Sequence, residues 1–410
     1  MIDDVKQRQM RANPAYKFKR ELKRLAQHMR NPLIPANKLK RELLRIGRQI
    51  INLPPFVISY LFATPYYDLV LARKCKILDG KAEPKNRIAV YLFYPQKGLQ
   101  KSHLRAIDYL AQSGYAPLVI CNAPLDDAEL CKVLGRCWRY IERPNFGYDF
   151  GGYRDGILSI KTQLGSLDRL ILTNDSTWFP LPGAMDWIAA SEALNVDYAG
   201  AAWAWAVRHE DPEDFEKIQW TVDKDRRNFH YASYALNIAS PILRTKKFYR
   251  FWKNFRLTNE KNRTVRRGEI GLTTWVKKHG FSHGATTELM QISQLLNAKN
   301  DDEVLNLVEN LIFVTDPKMK DITEAFLKDA QTSEPFPRKR AEQLIANAVA
   351  RQGMSYSIMG ELIENHGFAF MKKSPAFRND GTDAIVQNIL TGMDAKFRKD
   401  ILGEISALDR

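Results

Sequence analysis

From Arg87 onward, apolar positions switch between two periods. Ile88-Ala-Val-Tyr-Leu-Phe-Tyr94 is an apolar run of strand length, and Leu104, Ile107, Leu110 and Ala111 then recur at helical spacing before Gly114, a natural helix stop. Leu118-Val-Ile-Cys121 predicts a second strand, Asp126 and Asp127 cap the next helix, and Trp138 to Glu142 predicts a third strand. Arg143 to Pro180 supplies a loop, a helix and a fourth strand at Leu170 to Leu172. Strand and helix alternating on short loops predict an α/β fold, a mostly parallel sheet flanked by helices.

After Pro180 the periods weaken. Ala184 to Ala193 reads as helix, and Val196 to Gly200 leads into Ala202 to Val207, where alternating Trp203 and Trp205 allow a strand. Phe229 to Ile242 is β-rich, an aromatic and basic helix surrounds Phe248 to Phe255, and a helix opened by Glu269 closes on Gly280. From about Ser293 the chain is mostly helical and polar, with Phe368 to Lys373 as a late apolar insert. Residues 1 to 50 predict two basic helices separated by Pro32 and Pro35, the second with Leu39, Leu43, Leu44, Ile46 and Ile50 at helical spacing.

Charge sharpens that outline. Of a net +15 over 410 residues, +10 falls in residues 1 to 50, which hold 14 Lys or Arg and 4 Asp or Glu. A basic end on a nearly neutral body points to an anionic surface such as membrane phospholipid, set against a helix docked on its own body. Only Tyr16 and Phe18 interleave those charges, which disfavours nucleic acid. The apolar stretch Ile50 to Ala72 is broken by Pro54, Pro55 and Pro65, a poor bilayer span. The N-terminus lacks a signal-peptide pattern, and Cys75, Cys121, Cys131 and Cys137 form no CxxC pair, so reduced thiols in a cytoplasmic protein are expected. Composition excludes a fibrous or disordered chain.

Candidate chemistry gathers in Arg143 to Pro180, with five glycines and four acidic residues. Gly147, Gly151 and Gly152 crowd a strand-to-helix turn, where small residues let backbone approach a ligand. Asn145, Asp149, Arg154 and Asp155 are polar groups suited to a nucleotide or sugar, Arg154 toward phosphate and the acids toward hydroxyls; the plainer reading is a helix cap and a solvated helix face. Asn174, Asp175 and Ser176 end a strand where a carboxylate can hold a divalent cation beside a diphosphate, or where an Asx turn simply ends it. The spacing fits neither GxGxxG nor a P-loop. Trp203 and Trp205 read as packing. His279 and His283 lack the HExxH glutamate. Lys372 and Lys373 are candidates for phosphate or acceptor binding, with a plain surface pair favoured.

RPNFGYDFGGYRDGI, LTNDSTWFPL, SYALNIASPI and GFAFMKKS together resemble the rhamnan synthesis F family of bacterial polysaccharide glycosyltransferases, across about Arg87 to Asn379. The NxGxDxGG loop is also similar to the NxGxxxxxN loop of inverting GT-A rhamnosyltransferases. The resemblance implies a GT-A-like, Rossmann-type domain over 86–290, while charge and periodicity add a basic helical extension over 1–80 and a mainly helical region over 291–410. It puts Asp175 in the role of the DxD metal ligand for Mg²⁺ or Mn²⁺, with Asn174 or Ser176 replacing the second carboxylate. GEIGLTTWVKKHG resembles the segment that supplies the base, so Glu269 maps onto the acid that activates the acceptor hydroxyl; a first-turn acid favoured by the helix dipole is the plain reading. The implied activity transfers a deoxyhexose such as rhamnose from a nucleotide-diphosphate sugar to a surface polysaccharide or lipid-linked glycan. The implied place is the cytoplasmic face of the inner membrane. The competing reading is a non-catalytic docking protein with a degenerate sugar-nucleotide fold.

Overall fold

The computed structural model describes residues 61–408. The chain divides into two compact units, Met1–Asp68 and Leu69–Arg410, and the sheet and its helices belong to the second. The two basic helices read from residues 1 to 50 lie outside the described residues.

Strands β1 (Lys76–Asp79), β2 (Arg87–Phe93), β3 (Ala116–Cys121), β4 (Arg139–Glu142), β5 (Arg169–Asn174), β7 (Tyr198–Gly200), β10 (Ala235–Ala239) and β11 (His283–Ala285) form one sheet, ordered β1-β4-β3-β2-β5-β10-β7-β11. The pairs β4-β3, β3-β2, β2-β5 and β7-β11 are parallel, while β1 and β10 run against their neighbours. The mostly parallel α/β sheet expected from the periods is therefore present. Its β4-β3-β2-β5 core has the strand order of a doubly wound half-sheet.

The sequence explains this arrangement. β2 and β3 are apolar on both faces, and apart from half-buried Arg87 every residue of theirs is buried, as central parallel strands require. Helices α1 (Lys101–Gln112), α2 (Asp127–Leu134) and α3 (Tyr148–Ser159) make the crossovers. Asp126 caps α2 by accepting the Glu129 N–H at 2.7 Å. Gly114, at φ +87°, ends the turn after α1. The central glycines of α3 face the sheet: a Cβ at Gly152 would lie 2.6 Å from Leu92 Cδ1, and one at Gly156 3.0 Å from Val90 Cγ1.

The expected strand at 202–207 is cut to β8 (Trp203–Ala204), paired with β9 (His230–Tyr231), because Trp205 takes a left-handed φ of +63°. Trp203 is buried as packing. The late apolar insert has a partner that sequence did not reveal. Its strand β12 (Met371–Lys372) pairs antiparallel with β6 (Thr177–Trp178), just beyond Asp175. Phe370 stacks on Phe179 at 4.4 Å between ring centres. Trp178 and Met371 then join Met359, Leu390 and Ile401 in an apolar cluster under the C-terminal helices. All four cysteines are free thiols.

Candidate active site

Because six strands run one way, the carboxyl ends of β2 to β5 and β7 open on one edge, and antiparallel β10 begins there with Ser233 and Tyr234 just before it. Ligands of open α/β sheets collect at this edge. The protein is, by fold, an α/β protein of the doubly wound type.

Asp175 follows β5. Its N–H bonds back to the Leu92 carbonyl at 3.0 Å, and its Oδ2 accepts the Tyr94 N–H at 2.8 Å. His103 stands 3.6 Å from the same Oδ2. Because His103 Nδ1 accepts the Gln100 N–H, its Nε2 carries the proton and points it at Asp175. Burial works to raise the Asp175 pKa, but His103, Lys373 and the Tyr94 N–H outweigh it and hold the carboxyl below its ordinary range. Ser176 is exposed, and its N–H goes to Asn174 Oδ1 at 3.0 Å, a tight Asx turn. Asn174 itself is buried and donates to Tyr153 Oη at 3.1 Å.

Tyr153 links this strand end to a second polar cluster, donating to the Ser233 carbonyl at 2.8 Å. There Ser233 Oγ lies 2.6 Å from Asp149 Oδ2, in the first turn of α3, and 2.7 Å from Glu269 Oε1. Glu269 begins helix α4 (Glu269–Lys278) and also receives the Ser233 N–H at 3.0 Å. His230 Nε2 is 3.5 Å from Glu269 Oε2. Burial and then the charge of Glu269 push the Asp149 carboxyl up to about 6. Lys372 closes the cluster, its Nζ 3.7 Å from the Tyr234 ring centre and 5.2 Å from that of Tyr356. Lys372 is buried, and burial lowers its ammonium to about 7 against the pull of Glu269 and Asp149. The surface-pair expectation for Lys372 and Lys373 thus gives way to a buried strand, with Lys373 ion-paired to Glu404 at 2.6 Å.

The structure brings Asp149 and Glu269 together and joins them through Tyr153 to Asn174. It does not bring Arg154 or Asp155 to that cluster. Arg154 is buried with Nε on the Trp252 carbonyl at 3.2 Å, and Asp155 holds buried Arg143 at 2.6 Å. Arg143 also donates to Asn122 Oδ1 and the Phe146 carbonyl, which fixes the loop from Arg143 to Gly147. Asn145 is exposed on that loop. Gly147 takes φ +83°, and its N–H goes to Asn259 Oδ1 at 2.7 Å. Gly151 and Gly152 serve close packing: a Cβ at Gly151 would lie 2.3 Å from the Phe146 carbonyl oxygen. Gly151→Ala is therefore expected to cost about 1–3 kcal/mol in thermal unfolding. Gly165→Ala, with nothing within 4 Å, serves as the near-neutral control.

Sequence reading did not single out Ser233 or His103. It also passed over Tyr148, exposed beside Gly147 at φ +53°. The only available signal was the sequence SYALNIASPI, which contains Ser233 but does not mark it. His279 and His283 take separate partners, the Trp275 carbonyl and Tyr231 Oη, each at 2.8 Å. Among the described residues no group of three or more His, Cys, Asp and Glu side chains forms a cage for a metal ion.

Residues 118–312 match the family model described as rhamnan synthesis protein F, so the resemblance read from the loop and strand motifs is present in the chain. That span holds both polar clusters apart from Tyr94, His103, Tyr356, Lys372 and Lys373. Over 263 residues the chain is 28% identical to the uncharacterized protein y4gN of Sinorhizobium fredii, covering 64% of this chain and 63% of that one. It is 25% identical over 209 residues to the virulence protein VirA of Vibrio anguillarum, covering 49% and 60%. The chain thus spans less than two thirds of the length of these relatives. Among solved structures it is similar to core-mannan synthase A (CmsA/Ktr4) from Aspergillus fumigatus in its Mn/GDP form, with 10% identity, 47% and 73% of the two chains covered, and a TM-score of 0.23. A second is the mannosyltransferase Ktr4p from S. cerevisiae in complex with GDP, at 9% identity, 43% and 66% coverage, and a TM-score of 0.22. Likeness at such TM-scores is too slight to bear on this chain's activity.

Proposed function

We propose that this protein is a GT-A-like glycosyltransferase that moves a sugar, rhamnose or another deoxyhexose, from a nucleotide-diphosphate donor to a bacterial surface polysaccharide or lipid-linked glycan, with inversion. The observation that carries the reading is the Asp149–Ser233–Glu269 cluster, tied through Tyr153 to the end of β5, inside the region that matches rhamnan synthesis protein F.

In this reading the acceptor hydroxyl oxygen attacks the anomeric carbon, and the bond from that carbon to the diphosphate breaks, its electron pair leaving with the nucleotide. The hydroxyl proton passes to Glu269. Exposed Tyr94 and Tyr148 offer ring faces to the base, and Asn145 and Gly147 line the donor loop. Lys372 places a cation beside the leaving phosphates. Asp175 and the exposed Ser176 hydroxyl are the groups to hold Mg²⁺ or Mn²⁺. They fit such an ion as oxygen donors that leave room for water and phosphate, both contacts to the Asp175 carboxylate falling on Oδ2. When bound, the cation would offset diphosphate charge. Asn174 is already occupied by Tyr153 and Ser176.

In the same proposal, residues 86–290 are the catalytic region, 291–410 a helical region, and 1–80 a basic extension held at the cytoplasmic face of the membrane. No helix among the described residues is long and apolar enough to cross a bilayer. Melting of the full chain with UDP, dTDP or GDP, with and without Mn²⁺, tests the donor site. At about a hundred times the dissociation constant the binding nucleotide is expected to add about 2.7 kcal/mol. If none of the three raises the melting temperature, the donor-site reading fails.

A further inference from the structure

Protons can be counted where Asp149, Ser233 and Glu269 meet. Ser233 Oγ stands 2.6 Å from Asp149 Oδ2 and 2.7 Å from Glu269 Oε1. Each oxygen pair at such a distance needs a proton between its atoms, and a hydroxyl supplies one. The Ser233 N–H does not fill the gap, because it points at Glu269 Oε1 from the backbone side. The second proton therefore belongs to one of the two carboxyls. Glu269 Oε1 receives both the N–H and the hydroxyl, which favours its charged form. Asp149 receives local backbone N–H groups, that of Phe150 going to Oδ1 at 3.0 Å.

We propose that Asp149 carries this proton and donates it to Ser233 Oγ, which donates in turn to Glu269 Oε1, so that Glu269 is the one ionised carboxylate of the cluster. Asp149 and Ser233 are then positioning residues, and Asp149 acts as a hydrogen-bond donor rather than as an anionic ligand for sugar hydroxyls. The inference rests on the reading of Glu269 as base, whose Oε2 stays turned outward to His230. His230 Nδ1 donates to the Asn228 carbonyl at 2.8 Å, so the neutral ring presents a lone pair on Nε2 to that oxygen.

The groups that act on the pair are His230 and Lys372, with the phenols of Tyr153, Tyr198, Tyr234 and Tyr356. Burial raises all four phenols, so they remain neutral, and the compensating cation comes from Lys372. Two ionised carboxylates would share that little compensation. Burial and Glu269 together push Asp149 up to about 6, in line with a proton held between them.

The test is made on the full chain and its Asp149→Asn, Asp149→Ala and Glu269→Gln variants. Asparagine keeps a donor toward Ser233 and so imitates the protonated acid. The wild-type-minus-Asn infrared difference spectrum is expected to show a protonated-carboxyl band at about pH 5 that fades as pH rises through about 6, and Glu269→Gln is expected to move that fading to lower pH. Because the folded Asp149 binds its proton more tightly than an ordinary carboxyl, wild-type stability relative to Asp149→Asn is expected to fall between about pH 4 and 6 and to stay flat above. In sugar transfer at about pH 5, where Asp149 holds its proton, Asp149→Asn is expected to lose less than about tenfold in kcat, and Asp149→Ala about a hundredfold or more. Absence of the band, a band unmoved by Glu269→Gln, or equal losses for Asn and Ala would overturn the proposal. If no nucleotide sugar is turned over, the transferase reading fails by itself, and the infrared and stability measurements still decide where the proton lies.

Discussion

Glu269→Gln is expected to lower kcat for sugar transfer by about 10²- to 10⁴-fold, the usual weight of one general base, while leaving the dissociation constant of the nucleotide unchanged. Glutamine keeps the shape of the side chain and an oxygen for the Ser233 N–H and hydroxyl, which lie 3.0 and 2.7 Å from Glu269 Oε1. What it loses is the ability to take a proton at the atom facing His230. A fall in kcat with unchanged donor binding separates loss of chemistry from loss of the pocket. Turnover at the wild-type rate would remove Glu269 as base. The position is set by local structure: Gly268 precedes the helix because a Cβ there would lie 2.3 Å from the Phe150 ring, so the helix start sits directly on α3. That contact brings Glu269 to Asp149.

Asp175→Ala is expected to abolish transfer and to weaken the fold as well. It leaves the Tyr94 N–H and the His103 Nε2–H without their shared acceptor, a loss of about 1–3 kcal/mol for an unsatisfied buried donor. Asp175→Asn separates the two effects, because its side-chain oxygen can still accept the Tyr94 N–H while the charge is gone. The pH dependence has a definite sign. The fold holds this carboxyl below its ordinary value, so the stability it confers is fully present above the ordinary carboxylate range and disappears as pH falls through the lowered value. The difference in melting temperature between wild type and Asp175→Asn is therefore expected to be constant from neutral pH to about 5 and to shrink only in stronger acid. Transfer by Asp175→Ala at the wild-type rate would remove Asp175 from the donor site.

Much of the sheet was legible because its central strands are buried on both faces, which writes an unbroken apolar run into β2, β3 and β5. The position of Asp175 at the end of such a run followed from that alone. Side-chain roles were less legible, because one residue type serves either purpose. Gly151 and Gly152 look like a ligand loop in sequence, but their missing side chains make room for the Phe146 carbonyl and for Leu92. Arg154 looks like a phosphate ligand until the Trp252 carbonyl is found beside it. Strands of two residues, such as β6, β9 and β12, are too short to show a period. The burial of Lys372 depends wholly on one of them, and no local pattern could announce it. Ser233 was invisible for a related reason: its importance comes from two carboxylates supplied by α3 and α4, far from it along the chain.

The pairing of β6 with β12 has a consequence for the life of the chain. Its two halves are separated by about two hundred residues, and contacts that distant are slow to form during folding because a large loop must first be closed. Lys372 reaches Tyr234, and Lys373 approaches Asp175, only after the segment beyond Phe368 has been made. A nascent or truncated chain ending before Phe368 would have the sheet and both carboxylate clusters but neither lysine.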